Sequence, residues 1–148
     1  MKTEKTIMIT EKTISWFARV SLFIVFFWFG FLKIIKVSPA EELVRSLYNV
    51  TISNYFDFPF VLLMLGIFEC FIAIIWLVPF LTRIALYSYS IHLILTILPL
   101  ILLIEISWQD LFTLTLVGQY IMKNLCMLSV ALSAYYYYNN VSPKQIKI

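Results

Sequence analysis

Four long apolar runs divide the chain, and its polar residues are concentrated between these runs and at the two ends. Each run has the roughly 20 residues that an α-helix needs to cross about 30 Å of hydrocarbon. The pattern therefore predicts an all-α membrane protein, in which a single integral membrane domain covers residues 1–148. The predicted spans are residues 14–35, 60–80, 84–104 and 119–138.

The connections between the runs predict how the helices are arranged. Only residues 81–83 separate the second run from the third, and so short a link forces two helices into an antiparallel hairpin. We therefore expect an up-down bundle of four transmembrane helices. The loop at residues 105–118 mixes Trp108 and Asp110 with several leucines, which is typical of an interfacial or partly re-entrant stretch.

The first loop, between residues 36 and 59, contains the pattern of a short amphipathic helix. Ser38, Pro39 and Glu41 match an N-cap, a proline in the first helical turn and a capping-box acid. The apolar residues that follow recur at helical spacing, and such a helix either lies on the outer membrane surface or caps the bundle. Its apolar face consists of Ala40, Leu43, Val44, Leu47 and Tyr48.

Composition supports lipid as the main partner of the chain. The sequence is 62% hydrophobic and 13% charged, with a mean hydropathy of +0.93, and a soluble domain of this size could not bury so much apolar surface. The net charge of +3 forms no basic stripe, which argues against nucleic-acid binding. Cys70 and Cys126 both lie within apolar runs, so we expect two buried thiols that pack as small hydrophobic groups.

The distribution of basic residues predicts which way the spans are oriented. Four spans place the two ends and the link at residues 81–83 on one side of the membrane. That side carries about twice as many basic residues as the other, and the positive-inside rule makes it cytoplasmic. The residues counted there are Lys2, Lys5, Lys12, Arg83, Lys144 and Lys147, against Lys33, Lys36 and Arg45 on the other side.

Ionisable side chains within the predicted spans are the candidates for chemistry. Each costs roughly 2.5 to 3.5 kcal/mol on insertion scales, so it should face the bundle interior, water or another charge. We expect Glu69 to pair with Lys33 or Lys123, because an unpaired carboxylate at that depth would take up a proton. The candidates for a polar core or binding site are Arg19, Lys33, Glu69, His92 and Lys123.

Simpler roles compete with function at each of these positions. Lys33 and Arg19 are expected to extend toward headgroups at their ends of the first span, and Lys123 either does the same or points inward. A lone intramembrane histidine more often bonds a neighbouring helix than ligates metal or haem, so no metal is predicted at His92. Glu69 serves either to hold the helices in register or to carry a function.

Four segments together resemble the DoxX-like superfamily of four-helix membrane proteins, and more closely its YkgB-like branch, which includes an inner-membrane protein linked to reactive-chlorine resistance. The resemblance spans nearly the whole chain. It departs from the family pattern at Gln119, where arginine is expected, and at Asn124, where aspartate is expected. The matching segments are Arg19 with residues 27–33, residues 38–41, Gly66 with Glu69, and residues 118–125.

The resemblance implies a protein of the inner, cytoplasmic membrane with functional residues at Arg19, Lys33, Glu69 and Lys123. Some superfamily members are quinone-linked oxidoreductase subunits and others are stress-associated proteins without assigned chemistry. We therefore expect a redox or oxidative-stress subunit that interacts with quinone or with a protein partner. Whether it is itself an enzyme stays open. The alternatives are a small proton-coupled transporter, which one buried carboxylate in a homo-oligomer would suit, and a purely structural subunit of a membrane complex.

Overall fold

A computed structural model describes the backbone of residues 2–140 and the side chains of residues 11–140. Four helical segments in it are long and apolar enough to cross a membrane, as expected of a multi-pass helical membrane protein, and their bounds lie within a few residues of the predicted spans. The basic residues 2, 5, 144 and 147, used to orient the chain, lie outside the described side chains. The span segments are Glu11–Ile34, Phe58–Trp76, Pro79–Leu102 and Leu116–Asn140.

The long helices form an antiparallel bundle around one apolar core. Helix α1 (Lys2–Ile34) packs most extensively against α3 (Phe58–Trp76) and also contacts α7 (Asn124–Asn140), while α4 (Thr82–Leu102) contacts both α3 and α7. A 3₁₀ turn at Pro79–Leu81 connects α3 to α4, as the short predicted link requires. The largest fully buried core residues include Leu22, Ile72, Trp76 and Tyr89.

The predicted amphipathic helix is present as α2 (Glu41–Thr51), but it begins later than expected. The Ser38 hydroxyl accepts a hydrogen bond from the amide of Ala40 at 3.3 Å, which closes a local turn before the helix starts. Glu41 bonds Arg45 at 2.9 Å, one turn onward, and forms no capping box. The helix packs against α3 and α4 with no fully buried residue, so it caps the bundle.

The loop between the third and fourth spans contains a short helix and a β-hairpin that the sequence did not predict. Helix α5 (Ile104–Ser107) leads into β1 (Trp108–Asp110), which pairs antiparallel with β2 (Thr113–Leu114). The Trp108 indole donates to the carbonyl of Leu100 at 3.0 Å, and the buried Ser107 hydroxyl donates to the carbonyl of Pro99 at 2.9 Å. These bonds fix the hairpin to the end of α4.

The fourth span is divided into two helices, and its polar stripe faces outward. One residue, Lys123, separates helix α6 (Leu116–Met122) from α7 and lies in a turn. The positions that α7 buries are the small residues Ala131 and Ala134, because small side chains allow neighbouring helices to approach closely. Helical spacing along this span predicts one polar stripe that would face inward, made of Gln119, Lys123, Cys126, Ser133 and Tyr137. That prediction is wrong for all of them but Tyr137, because the other four are exposed.

Candidate functional site

Two of the five candidate residues form a buried ion pair between α1 and α3. The Lys33 ammonium nitrogen lies 2.6 Å from Oε2 and 2.9 Å from Oε1 of Glu69. Their side chains are each only 5% exposed. The predicted pairing of Glu69 with one of two lysines is thus confirmed for Lys33, and the expectation that Lys33 extends toward headgroups is wrong, because an acceptor is available within the bundle.

Two glycines bring the helices close enough for this pair to form. A methyl group on Gly30 would lie 2.7 Å from the carbonyl oxygen of Gly66, and one on Gly66 would lie 2.8 Å from that of Gly30. These separations are below van der Waals contact, so only glycine permits this approach of the two backbones. One turn beyond each glycine on its own helix stand Lys33 and Glu69.

Helix α4 adds a third ionisable residue to the pair. Nε2 of His92 lies 2.9 Å from Oε1 of Glu69, and Nδ1 lies 3.2 Å from the hydroxyl of Thr96. That hydroxyl also lies 2.9 Å from the backbone carbonyl oxygen of His92. We call Lys33, Glu69 and His92 the triad. Three different helices supply one residue each.

Aromatic rings and burial separate the triad from its surroundings. The ring of Phe26 contacts the imidazole of His92 edge-on at 5.2 Å between centroids, and Phe68 lies at 6.4 Å. His92 is 8% exposed and Glu69 is 4% exposed. Electrostatic interactions are stronger in such a site than in water, so little screening weakens the ion pair of Lys33 and Glu69.

The hydrogen-bond pattern identifies the position on His92 where a proton can bind while Glu69 is ionised. An ionised carboxylate only accepts hydrogen bonds, so Nε2 of His92 must carry hydrogen when it bonds Glu69. The Thr96 hydroxyl can donate to an unprotonated Nδ1 or accept from a protonated one. A hydrogen on Nδ1 would be donated to the Thr96 oxygen, whereas an unprotonated Nδ1 accepts from the hydroxyl only when that hydroxyl turns away from the backbone carbonyl of His92.

Arg19 lies apart from the triad, at the C-terminal end of α3. Its guanidinium donates to the carbonyl of Trp76 at 3.0 Å and to the hydroxyl of Thr82 at 2.6 Å. The residue is 2% exposed, so the expectation that it extends to headgroups is wrong. The Trp76 carbonyl belongs to the last turn of α3, where a cation interacts favourably with the helix dipole.

Lys123 is also separate from the triad, on the exposed surface between α6 and α7. Its ammonium nitrogen lies 4.7 Å from the centroid of the Tyr120 ring, which is a cation–π contact. Cys126 is exposed and Cys70 is partly buried, and both are free thiols. The expectation of two buried thiols is therefore wrong for Cys126, which shares the outward face of the fourth span.

The sequence did not identify three residues that shape these sites. Thr82 was expected only as part of the link at residues 81–83. Phe26 contacts His92, and the hydroxyl of Tyr89 donates to the carbonyl of Asn124 at 3.0 Å. Thr96 stands one turn after His92 on the same helix, the spacing at which helical side chains meet. Each missed contact joins different helices, and spacing along one helix does not predict such contacts.

The resemblance to the DoxX-like superfamily stays a prediction after comparison with known proteins. Within the side chains that the structure describes, no group of three or more His, Cys, Asp or Glu residues could hold a metal ion. The chain matches no protein-family model, no curated protein and no solved structure in the three comparisons made. The case for function therefore depends on the triad and its surroundings.

Proposed function

We propose that this chain is a multi-pass subunit of the cytoplasmic membrane that serves a redox or oxidative-stress system, in which the triad exchanges a proton with a quinone or with a partner protein. The observation that carries the proposal is the contact of Glu69 with both Lys33 and His92 within a buried site. Intramembrane ionisable residues are costly and typically serve proton or ligand pathways.

The proposed role of the triad is to transfer a proton, and the electrons come from elsewhere. A quinone takes up two protons for every two electrons, and an electron-donating partner protein would provide the electrons. His92 would pass a proton from Nδ1 while Glu69 and Lys33 keep the local charge balanced. Because the triad is almost fully buried, its exchange with a ligand requires the helices around His92 to separate.

Glu69→Gln tests this proposal directly. The substitution keeps the size of the side chain and removes its charge. We expect membranes that carry this variant to reduce quinone more slowly and their cells to survive oxidant less well than the wild type. Quinone that co-purifies with the protein, measured by mass spectrometry, should also decrease.

Glu105→Gln is the matched control, because Glu105 is an exposed acid outside the spans. Wild-type behaviour of Glu69→Gln in all three measurements, with the protein folded and inserted, would contradict the proposal. Equal losses in Glu69→Gln and in the control Glu105→Gln would contradict the proposal as well.

The divided fourth span favours a small proton-coupled transporter as the second candidate. Interrupted transmembrane helices often mark the binding sites of transporters, and the break at Lys123 interrupts this span. A transporter in liposomes would couple substrate flux to an imposed pH gradient, and Glu69→Gln would abolish that coupling. Flux that is independent of the gradient would exclude this candidate.

A further inference from the structure

Two large apolar side chains are exposed at the tip of the hairpin formed by β1 and β2. Leu111 and Phe112 form its loop, because Asp110 and Thr113 pair on either side of it. They are 81% and 88% exposed, more than any other large apolar residue among residues 11–140. Neither side chain has a polar atom, so contact with water at this tip is costly.

The backbone of Phe112 adopts a conformation that aromatic residues rarely take. Its φ is 65°, and a positive φ at the second position of a two-residue turn normally requires glycine or asparagine. Packing within the chain offsets little of this strain, because the ring is almost fully exposed. An aromatic ring at such a position therefore points to a contact outside the chain.

The base of the hairpin lies at the level of the bilayer boundary. The side chains of Trp108 and Ser107 donate to carbonyls in the last turn of the third span. Tryptophan is enriched at this level in membrane proteins. The tip begins three residues further along, at most about 10 Å from Trp108, so it stays within reach of the headgroup region.

The apolar surface of the spans continues on both sides of the hairpin. Ile104 precedes it and is 62% exposed, and Leu116 follows it and is 71% exposed. Ile101, in the last turn of the third span, is also exposed. The adjacent acid, Asp110, accepts a hydrogen bond from the amide of Leu111 at 2.7 Å, which holds its carboxylate to the turn. The tip therefore presents apolar side chains beside a surface that is already apolar.

We propose that Leu111 and Phe112 insert into the bilayer at this end of the bundle and anchor the loop between the third and fourth spans. The partner is the acyl-chain region just beneath the phospholipid headgroups, because the tip offers apolar area and no side-chain group that would select a headgroup. Insertion removes both side chains from water and offsets the strain at Phe112. The anchor holds the start of α6, and with it the first part of the fourth span, at a fixed depth.

Photocrosslinking at the tip identifies what it contacts. p-Benzoylphenylalanine replaces Phe112 in the full chain, which keeps an aromatic ring there, and the membranes are irradiated before mass spectrometry. We expect phospholipid adducts about tenfold more abundant than those from the same probe at Asn49. Asn49 is the matched control, because it is an exposed polar residue of α2 at the same end of the bundle.

Phe112→Asn separates insertion from the strain of the turn. Asparagine accepts a positive φ, so the turn should persist while the apolar ring is lost. In lipid nanodiscs we expect the amides of residues 108–114 to exchange hydrogen about tenfold faster than in the wild type, since insertion loses its largest contact. Gln109→Asn, at an exposed polar position of the same hairpin, should leave the exchange unchanged.

Adducts of the tip with protein in place of lipid would overturn the proposal and assign the tip to a protein partner. Lipid adducts equally abundant at Phe112 and Asn49 would overturn it too. So would unchanged or slower exchange in Phe112→Asn, since relief of strain would then outweigh any loss of insertion. Because the hairpin tip and the triad share no residue, failure here leaves the proposed redox role untouched.

Discussion

At the contact between Lys33 and Glu69, two opposite charges share a site from which water is almost excluded. Their side chains are each 5% exposed, so each charge depends on the other for compensation. Removing one partner of such a pair costs about 3–5 kcal/mol, whereas replacing both by apolar residues is often neutral. The pair therefore matters for stability mainly through the penalty of leaving one charge alone.

A double-mutant cycle on this pair tests that view. We expect Lys33→Met and Glu69→Leu each to lower the free energy of unfolding by about 3 kcal/mol, and the double variant to lose much less than their sum. Thermal or denaturant unfolding in detergent provides the measurement. Additive losses would show that the two charges are not coupled.

The exposed pair of Glu41 and Arg45 supplies a control for that cycle. It has nearly the same nitrogen–oxygen distance, 2.9 Å, but the arginine side chain is 52% exposed. Water screens such a pair, so two opposite charges one helical turn apart contribute only about 0.3–0.5 kcal/mol to stability. Replacing both residues should change stability within that range.

At the scale of helices, close contact between α1 and α3 determines whether the triad can assemble. The methyl group that Gly66→Ala adds would lie 2.8 Å from a backbone oxygen of α1. The helices must then separate, so we expect a loss of about 1–3 kcal/mol in stability and weaker coupling between Lys33 and Glu69. The double-mutant cycle repeated in this background would measure that coupling.

Ile67→Ala controls for the effect of any substitution in this part of α3, since Ile67 is 46% exposed. It should leave the coupling energy between Lys33 and Glu69 unchanged. Unaltered coupling in Gly66→Ala would refute the requirement for close contact.

A hydroxyl from α4 bonds the backbone at the break in the fourth span. Tyr89 is fully buried and donates to the carbonyl of Asn124, which begins α7. We expect Tyr89→Phe to cost about 1 kcal/mol and to speed amide hydrogen exchange around residues 122–126. Tyr87→Phe is the matched control, because Tyr87 is 71% exposed. Equal exchange in both variants would show that this bond does not hold the break.

At the scale of the whole molecule, the antiparallel arrangement predicts where the chain ends lie. Arg83, at the start of α4, donates to Asn139 near the end of α7 at 3.2 Å, and Arg19 reaches Thr82 from α1. The first span therefore starts at the same end of the bundle where the fourth finishes. Reporter fusions at both termini should both report the cytoplasm; reporters on opposite sides would contradict the fold.

Much of this architecture could be predicted from single segments. The apolar runs predicted the spans, the short link predicted the hairpin of α3 and α4, and the cost of an unpaired buried charge predicted that a lysine would pair with Glu69. The fourth span was the exception. Its polar residues suggested an inward stripe, but apolar neighbours pack against Ala131 and Ala134 instead, and one-helix periodicity cannot rank two competing faces.

The sequence by itself determined that lipid surrounds the chain and that its buried charges need partners, because hydropathy and the cost of a bare charge in hydrocarbon depend only on residue type. Only the tertiary structure decided which partners those are. Glu69 bonds Lys33 and His92, Arg19 bonds the end of α3, and Lys123 is exposed on the surface. The choice depends on distances between helices, which the glycine contact of α1 with α3 sets and which no pattern along a single segment contains.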